Sequence, residues 1–250
     1  MKVCAIIPAL NEEEAVGLVL RDLPRSVVAE VFVVDNGSRD ATAARAEEAG
    51  ATVVREPRRG YGSACLAGIA RLPADCDVVV FLDVDHSDHA EEVVALIAPI
   101  RAGRAELVIG SRMLGRAEPG ALLPQARFGN RFACYLMRLL FHSGGIRFTD
   151  LGPFRAITKQ ALDRIAMEDV GFGWTVEMQV KAIQHGLKVA EVPVSYRRRK
   201  GVSKITGTVS GTVRAGAKIL WTIFRYALLR PRSRALPAAA PAGPPAGGKG

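Results

Sequence analysis

"DVVVFLDVDHSD", residues 77–88, is the stretch on which the fold turns. Its run from Val78 to Leu82 is apolar throughout, as in a strand buried on both faces, and it then delivers Asp83, Asp85 and Asp88 within six positions. A surface loop can carry acids anywhere. An apolar strand that ends in spaced acids places carboxylates at the rim of a sheet, where α/β proteins hold their ligands. On extended backbone residues i and i+2 project the same way, so Asp83 and Asp85 can face one ligand together. Such oxygen ligands suit Mg²⁺ or Mn²⁺, which bind one or two carboxylates together with substrate phosphates. The plainer alternative is a helix N-terminus, with Asp88 capping "HAEEVVAL". His86 and His89 lack a third soft ligand and read as solvated loop histidines.

Outward from this stretch, apolar runs alternate with helical patterns. "VCAIIPAL" (3–10) reads as a buried strand and "NEEEAVGLVLRDL" (11–23) as a helix with acids in its first turn, which suits the helix dipole. "EVFVVDNGS" (30–38) is strand then turn, "RDATAARAEEAG" (39–50) a helix closed by Gly50, and "ATVVREP" (51–57) a strand. A glycine-rich turn leads into the helix "SACLAGIARL" (63–72). Beyond the acids come the helix "AEEVVALIAPI" (90–100) and the strand "ELVIGSR" (106–112). This alternation predicts an α/β domain with one Rossmann-like, mostly parallel sheet covered on both faces.

After Arg112 the pattern loosens. Helices are expected over "QARFGNRFACYLMRLLF" (125–141) and "TVEMQVKAIQHG" (175–186), a loop and short strand over "TDLGPFRAI" (149–157), and a strand over "KVAEVPVSY" (188–196). The organisation expected is a domain over 1–205, an amphipathic basic helix over 206–230, and a Pro/Ala/Gly-rich disordered tail over 231–250.

Composition narrows the function. A 250-residue chain that is 49% hydrophobic can bury a substantial core, which excludes a disordered protein. The net charge of +9 points to an anionic partner, and no Asp or Glu follows Glu191. Four cysteines without CxxC spacing give neither a zinc ribbon nor a disulfide scaffold, and Cys4 and Cys65 read as small hydrophobes in a reducing cytosol. The opening "MKVCAIIPAL" is followed at once by "NEEE", unlike an export signal, and no apolar run approaches about 18 residues, so no spanning helix is expected.

Three further stretches carry candidate chemistry. Asn11 and Asp35 stand where the first two strands give way to turns and can hydrogen-bond a base and a ribose, although "DNGS" is also an ordinary turn. "RRGYGSA" (58–64) sets Gly60 and Gly62 before a helix start, a place for phosphate or ribose, without the dinucleotide spacing GxGxxG. On a helical projection of "TVRAGAKILWTIFRYALLR" (212–230), Val213, Leu220, Phe224 and Ala227 share one side, and Arg214, Lys218 and Arg225 an opposite arc with Trp221. Basic residues beside an aromatic point to an anionic membrane surface. The alternative is a helix packed on the domain with its basic face in water.

Taken together, "IIPALNEE", "VVDNGSRDAT", "RGYGSA", "FLDVD" and "VIGSR", in this order, resemble the inverting glycosyltransferase family 2, with the GT-A fold. "TDLGPFRAI", "GWTVEMQVKA" and "RRRKGVSK" resemble its polyprenyl-phosphate branch, the dolichyl-phosphate mannose and glucose synthases, so the likeness runs to about residue 205. The resemblance implies nucleotide binding by Pro8, Ala9, Asn11, Glu12 and Asp35, with Gly60, Gly62 and Arg112 in substrate-binding segments. It implies a diphosphate held through Mg²⁺ or Mn²⁺ by Asp83 and Asp85, and a phosphate gripped by Arg198, Ser203 and Lys204 of R-x-x-G-x-S-K. Asp85 and Asp150 are the catalytic candidates, Asp150 as the acid nearest the acceptor and Glu177 as a second. The chain departs from the family at Asn36, where a second Asp often follows the first, and at Ser87, where Gln often follows the DxD.

The function expected is metal-dependent, inverting transfer of a hexose from a nucleotide-diphospho-sugar to a polyprenyl phosphate, at the cytosolic face of a membrane to which the enzyme binds peripherally. A soluble hydroxyl acceptor is the first alternative. A basic nucleic-acid-binding module is the second, set aside because the late basic residues lack interleaved aromatics while acids cluster at strand ends.

Overall fold

The computed structural model describes residues 1–141, 146–201 and 209–229, with 209–215 described by backbone alone. Ser203, Lys204, the tail over 231–250 and the side chains of Val213 and Arg214 lie outside the described residues.

A seven-stranded sheet runs through the molecule in the order β3-β2-β1-β4-β6-β5-β7. The strands are β1 (Val3–Ala9), β2 (Glu30–Asp35), β3 (Thr52–Arg55), β4 (Val78–Phe81), β5 (Leu107–Ser111), β6 (Arg155–Thr158) and β7 (Val189–Pro193). Helices α1 (Val16–Asp22), α2 (Thr42–Glu48), α3 (Tyr61–Ile69), α4 (Val93–Arg101), α5 (Pro124–Leu140), α6 (Lys159–Ile165), α7 (Trp174–Gln184) and α8 (Val209–Leu228) cover it. Most neighbouring pairs are parallel, as the alternating pattern requires. The exception is β6, which runs antiparallel between β4 and β5. It is four residues long, too short for its direction to be read from periodicity.

Successive residues of β1 feed opposite cores. Ala5 and Ile7 join Val33, Val80, Leu96 and Ile97 on one face. Cys4 and Ile6 join Phe81, Trp174 and Met178 on the other. That is why the strand is apolar throughout, since a strand buried on both faces has no polar side. All four cysteines are buried and free. A third cluster ties α5, α7 and α8 together through Met137, Val176, Val180, Ile223 and Tyr226.

Helix α1 begins at Val16, so Glu12, Glu13 and Glu14 lie in the preceding turn and its first turn holds no acid. Glu13 turns sideways instead and accepts from the backbone N–H of Ala41. Helix α8 also departs from its expected faces. Thr222, Ile223 and Tyr226 are buried, Phe224 is exposed, and Lys218 pairs with Asp169 at 2.7 Å. The helix is therefore packed on the domain. Among the described residues no helix is long and apolar enough to cross a membrane.

Candidate functional site

At the carboxyl ends of β1 and β4 lies a cavity of about 560 Å³. Of the residues singled out in the sequence, Pro8, Ala9, Glu12, Gly60, Asp83 and Asp85 line it. Strand β4 ends at Phe81, so both aspartates stand beyond it, Asp83 at the entry to a bend and Asp85 within it. His86, in the same bend, adopts φ of 61° and places Nε2 2.8 Å from Asp22. It is largely buried, not a solvated loop histidine.

The bend concentrates negative charge. Burial, and then the neighbouring Asp85 charge, push the Asp83 carboxyl up to about 7. Burial, followed by Asp83 and Asp85, raises Asp88 as well. Asp88 is 2% exposed, and among the described residues neither of its carboxyl oxygens has a close hydrogen-bond partner. It is no helix cap, since the short helical turn after it has His89 at the capping position and no side-chain bond. Ser87, at the position where the family often has Gln, donates its backbone N–H to Asp85 Oδ1 at 2.9 Å. Three carboxyls crowded into one partly enclosed bend favour a cation beside them. The fit is to a hard divalent ion that completes its shell with substrate oxygens. It is not a ready-made cage, because among the described residues no three His, Cys, Asp or Glu side chains converge on one point.

Among the cationic side chains lining the cavity, Arg59 and Arg199, it is Arg199 that pairs with the acids. Its guanidinium lies 3.3 Å from Asp85 Oδ2 and 3.0 Å from Glu12 Oε1. Sequence reasoning placed Arg198 here. Arg198 instead donates through Nε to Pro119 O, and its backbone N–H goes to Glu118, on the exposed surface. In extended backbone adjacent side chains point opposite ways, so a run of arginines does not disclose which one enters a cavity.

The glycine turn also works differently from the expectation. A β-carbon at Gly60 would fall 2.1 Å from Val170 O, and one at Gly62 1.9 Å from Asp169 O. The amides that open α3 are already engaged, Gly62 N–H with Gly171 O and Ser63 N–H with Val170 O. The glycines thus admit the 169–171 segment, which with Phe172 forms a cavity wall, rather than a phosphate. Asn36 pins this corner. Its Nδ2 donates to Glu56 O and Arg58 O at 3.0 and 2.8 Å, and its Oδ1 accepts from Gly60 N–H at 2.9 Å. A carboxylate cannot donate to two carbonyls. The departure from the family's Asp therefore has a structural reason.

Asn11 and Asp35 do not line the cavity but brace it. Asn11, with φ of 49°, accepts from Arg39 N–H through Oδ1, and Asp35 accepts from Ser38 N–H. Sequence reasoning also missed Arg59 and Tyr61, which line the cavity, and for them no signal beyond proximity to "GYGS" existed.

Beside the acids stands a second charged pair. Asp150, fully buried, accepts from Arg112 at Nε (2.8 Å), at the guanidinium NH2 (2.6 Å) and at the backbone (2.8 Å). Burial would raise the Asp150 carboxyl, yet the Arg112 charge and these bonds hold it below the usual carboxylate range. Arg112 also stacks over Tyr196 at 5.0 Å, and its charge is felt by Asp83 and Asp88. Glu177, on α7, is not in solvent. Fully buried, it accepts from Glu168 N–H, Asp169 N–H and Tyr226 O–H.

The comparisons with known proteins agree with this architecture. The model of "Glycosyl transferase family 2" matches residues 4–166. An uncharacterized glycosyltransferase of Mycobacterium tuberculosis is 37% identical over 213 residues, 84% of this chain and 93% of its own length. The undecaprenyl-phosphate mannosyltransferase of Micrococcus luteus is 33% identical over 228 residues, 84% of this chain and 90% of that protein. Among solved structures, glucosyl-3-phosphoglycerate synthase from M. tuberculosis, in complex with Mn²⁺, UDP-glucose and phosphoglyceric acid, superposes with a TM-score of 0.73 at 22% identity, covering 93% of this chain and 81% of that one. With a GT-A sheet, an acidic bend at the end of β4 and a family match across most of the domain, this chain belongs to glycosyltransferase family 2.

Proposed function

We propose that the protein transfers a hexose, with inversion, from a nucleoside-diphosphate sugar to a polyprenyl phosphate at a membrane's cytosolic face. The observation that carries this reading is the meeting of Asp83, Asp85 and Arg199 on the wall of one cavity, where carboxylates and a guanidinium face the same space. The similarity to an undecaprenyl-phosphate mannosyltransferase supports the lipid acceptor. In this reading Pro8, Ala9 and Glu12 border the nucleotide, and Asp35 and Asn11 hold its loops. Asp83 and Asp85 would hold Mg²⁺ or Mn²⁺, in keeping with a protein of the same fold solved in complex with Mn²⁺ and UDP-glucose. A divalent cation bound there supplies charge neutralisation for the departing diphosphate.

The chain's own residues do the rest. An acceptor phosphate oxygen forms a bond to the anomeric carbon as the bond to the diphosphate oxygen breaks, and the electron pair leaves with the diphosphate. Arg199, released from Asp85, stabilises that developing charge, as does Lys204 in the family motif. A phosphate monoester is already ionised near neutral pH and needs no general base. Asp150 is consistent with that chemistry, because its carboxylate is committed to Arg112 and is not free to take a proton. A soluble hydroxyl acceptor would require a base that this pair does not provide.

The test is transfer from radiolabelled GDP-mannose or UDP-glucose, with Mn²⁺, to a short-chain polyprenyl phosphate, against phosphoglycerate as the competing acceptor. Label in the lipid phase is expected. Label on phosphoglycerate with none in lipid would overturn the acceptor.

A further inference from the structure

On α5, Phe128, Phe132, Tyr135 and Leu139 are exposed at 72%, 43%, 61% and 62%. Their spacing of four, three and four confines them to an arc of about 60° on a helix of 3.6 residues per turn. The exposed Arg127, Arg131 and Arg138 fall on a band directly beside it by the same geometry. The opposite face of α5 is spoken for, since Ala133, Cys134 and Met137 are buried against Val176, Val180, Ile223 and Tyr226. Helix α8, packed alongside, shows a matching surface of Trp221, Phe224, Leu228 and the exposed Arg225. Neither helix contains an Asp or Glu.

Scattered surface apolar residues are ordinary, but a contiguous row of four with a second row on the next helix is not. Such a face needs cover, and its charge says which. A basic edge without acids complements an anionic surface, and large apolar side chains next to arginines suit the boundary between lipid headgroups and acyl chains. We propose that the outward faces of α5 and α8 form one docking surface for an anionic lipid bilayer, with α5 carrying the deeper apolar insertion. The protein would then lie in the interface without spanning it. The inference rests on the proposed lipid-phosphate acceptor for its purpose alone. Docking is measured without donor or acceptor, so failure of one reading is distinguishable from failure of the other.

The experiment uses the full chain with phosphatidylglycerol and phosphatidylcholine vesicles, read by cosedimentation and by tryptophan fluorescence. The chain has two tryptophans, and Trp174 is fully enclosed while Trp221 is 61% exposed, so a blue shift on vesicle addition reports α8. The wild type is expected to bind phosphatidylglycerol vesicles with a blue shift. Phe128→Ser with Phe132→Ser should weaken that binding at least about tenfold and abolish the shift, although neither change is on α8. Arg127→Gln, Arg131→Gln and Arg138→Gln together should erase the preference for the anionic vesicle and its sensitivity to salt. Nucleotide affinity and melting temperature should hold in both variants, which shows that they fold. Wild-type binding by the serine variant overturns the role of α5. Absence of any vesicle binding, or a concentration-dependent dimer that the serine variant abolishes, overturns the lipid as occupant.

Discussion

Arg199 shows how much a single side chain sets at this site. It spans Glu12 and Asp85, the carboxylate proposed to ligate the metal, and so supplies locally the positive charge that a divalent ion would bring. Two cations on one carboxylate compete, so metal entry and release of the arginine are coupled. Arg199→Gln should therefore bind Mn²⁺ about tenfold more tightly in the absence of nucleotide, while turnover falls by about a hundredfold because the leaving diphosphate loses a cation. Manganese paramagnetic resonance gives the first quantity and a transfer assay the second. Unchanged metal affinity would remove the competition. Asn36 makes a second residue-scale case. Asn36→Asp leaves the carbonyls of Glu56 and Arg58 facing a carboxylate, with the donors lost from a nearly buried position. A buried acceptor without its donor costs about 1–3 kcal/mol, which in a domain of this size lowers the melting point by about 3–10 °C. A melting curve that superposes on the wild type would show that the amide is not what holds the corner.

At the scale of elements, helix α8 is bound to the cavity wall. Lys218 pairs with Asp169, and Tyr226 O–H donates to Glu177, which also accepts from the backbone amides of Glu168 and Asp169 and pairs with Lys181 at 2.9 Å. Carbonyls of the adjoining segment in turn accept from the amides that open α3. A chain ending after Ile205 would strip Ile223 and Tyr226 from the third core cluster as well as these polar partners. That truncation is accordingly expected to unfold or melt far below the full chain, so loss of transfer in it says nothing by itself about membranes. Lys218→Met is the milder probe. Lys218 is partly exposed and the buried Asp169 keeps the amides of Gly171 and Gly173, so the variant should fold, with a donor KM several-fold higher because the wall loses its tether. Equal melting of truncated and full chains, read by scanning fluorimetry, would make α8 an appendage. None of this was legible in a helical projection. Amphipathicity assigns faces, but it does not say whether Lys218 meets a buried carboxylate or a headgroup.

Across the whole molecule, what the sequence disclosed and what it withheld divide along physical lines. The doubly buried strands and their covering helices follow from hydrophobic period, a local property, and were readable; so was the acidic bend at the end of β4. The antiparallel β6, the approach of residues 169–171 to Gly60 and Gly62, and the choice of Arg199 over Arg198 depend on contacts between distant parts of the chain. The cavity is just such a non-local object, assembled from β1, the 59–61 turn, the bend after β4, the 170–172 segment and Arg199. A ligand that fills it should tie the two halves of the chain together and raise stability by mass action, by about 2.7 kcal/mol at a hundredfold excess over Kd. For a chain of this length that is a rise of about 5–10 °C in melting temperature. Mn²⁺ alone should do little, because Arg199 already neutralises Asp85, and a nucleoside diphosphate alone should do little, because its charge would meet Asp83 and Asp85. The two together are expected to give the full rise, and the nucleotide base that gives the largest rise identifies the donor. Asp85→Asn should melt close to the wild type without ligands and lose the joint effect. Equal shifts for the nucleotide with Mn²⁺ and with chelator, or a joint effect that survives in Asp85→Asn, would detach the metal from this bend.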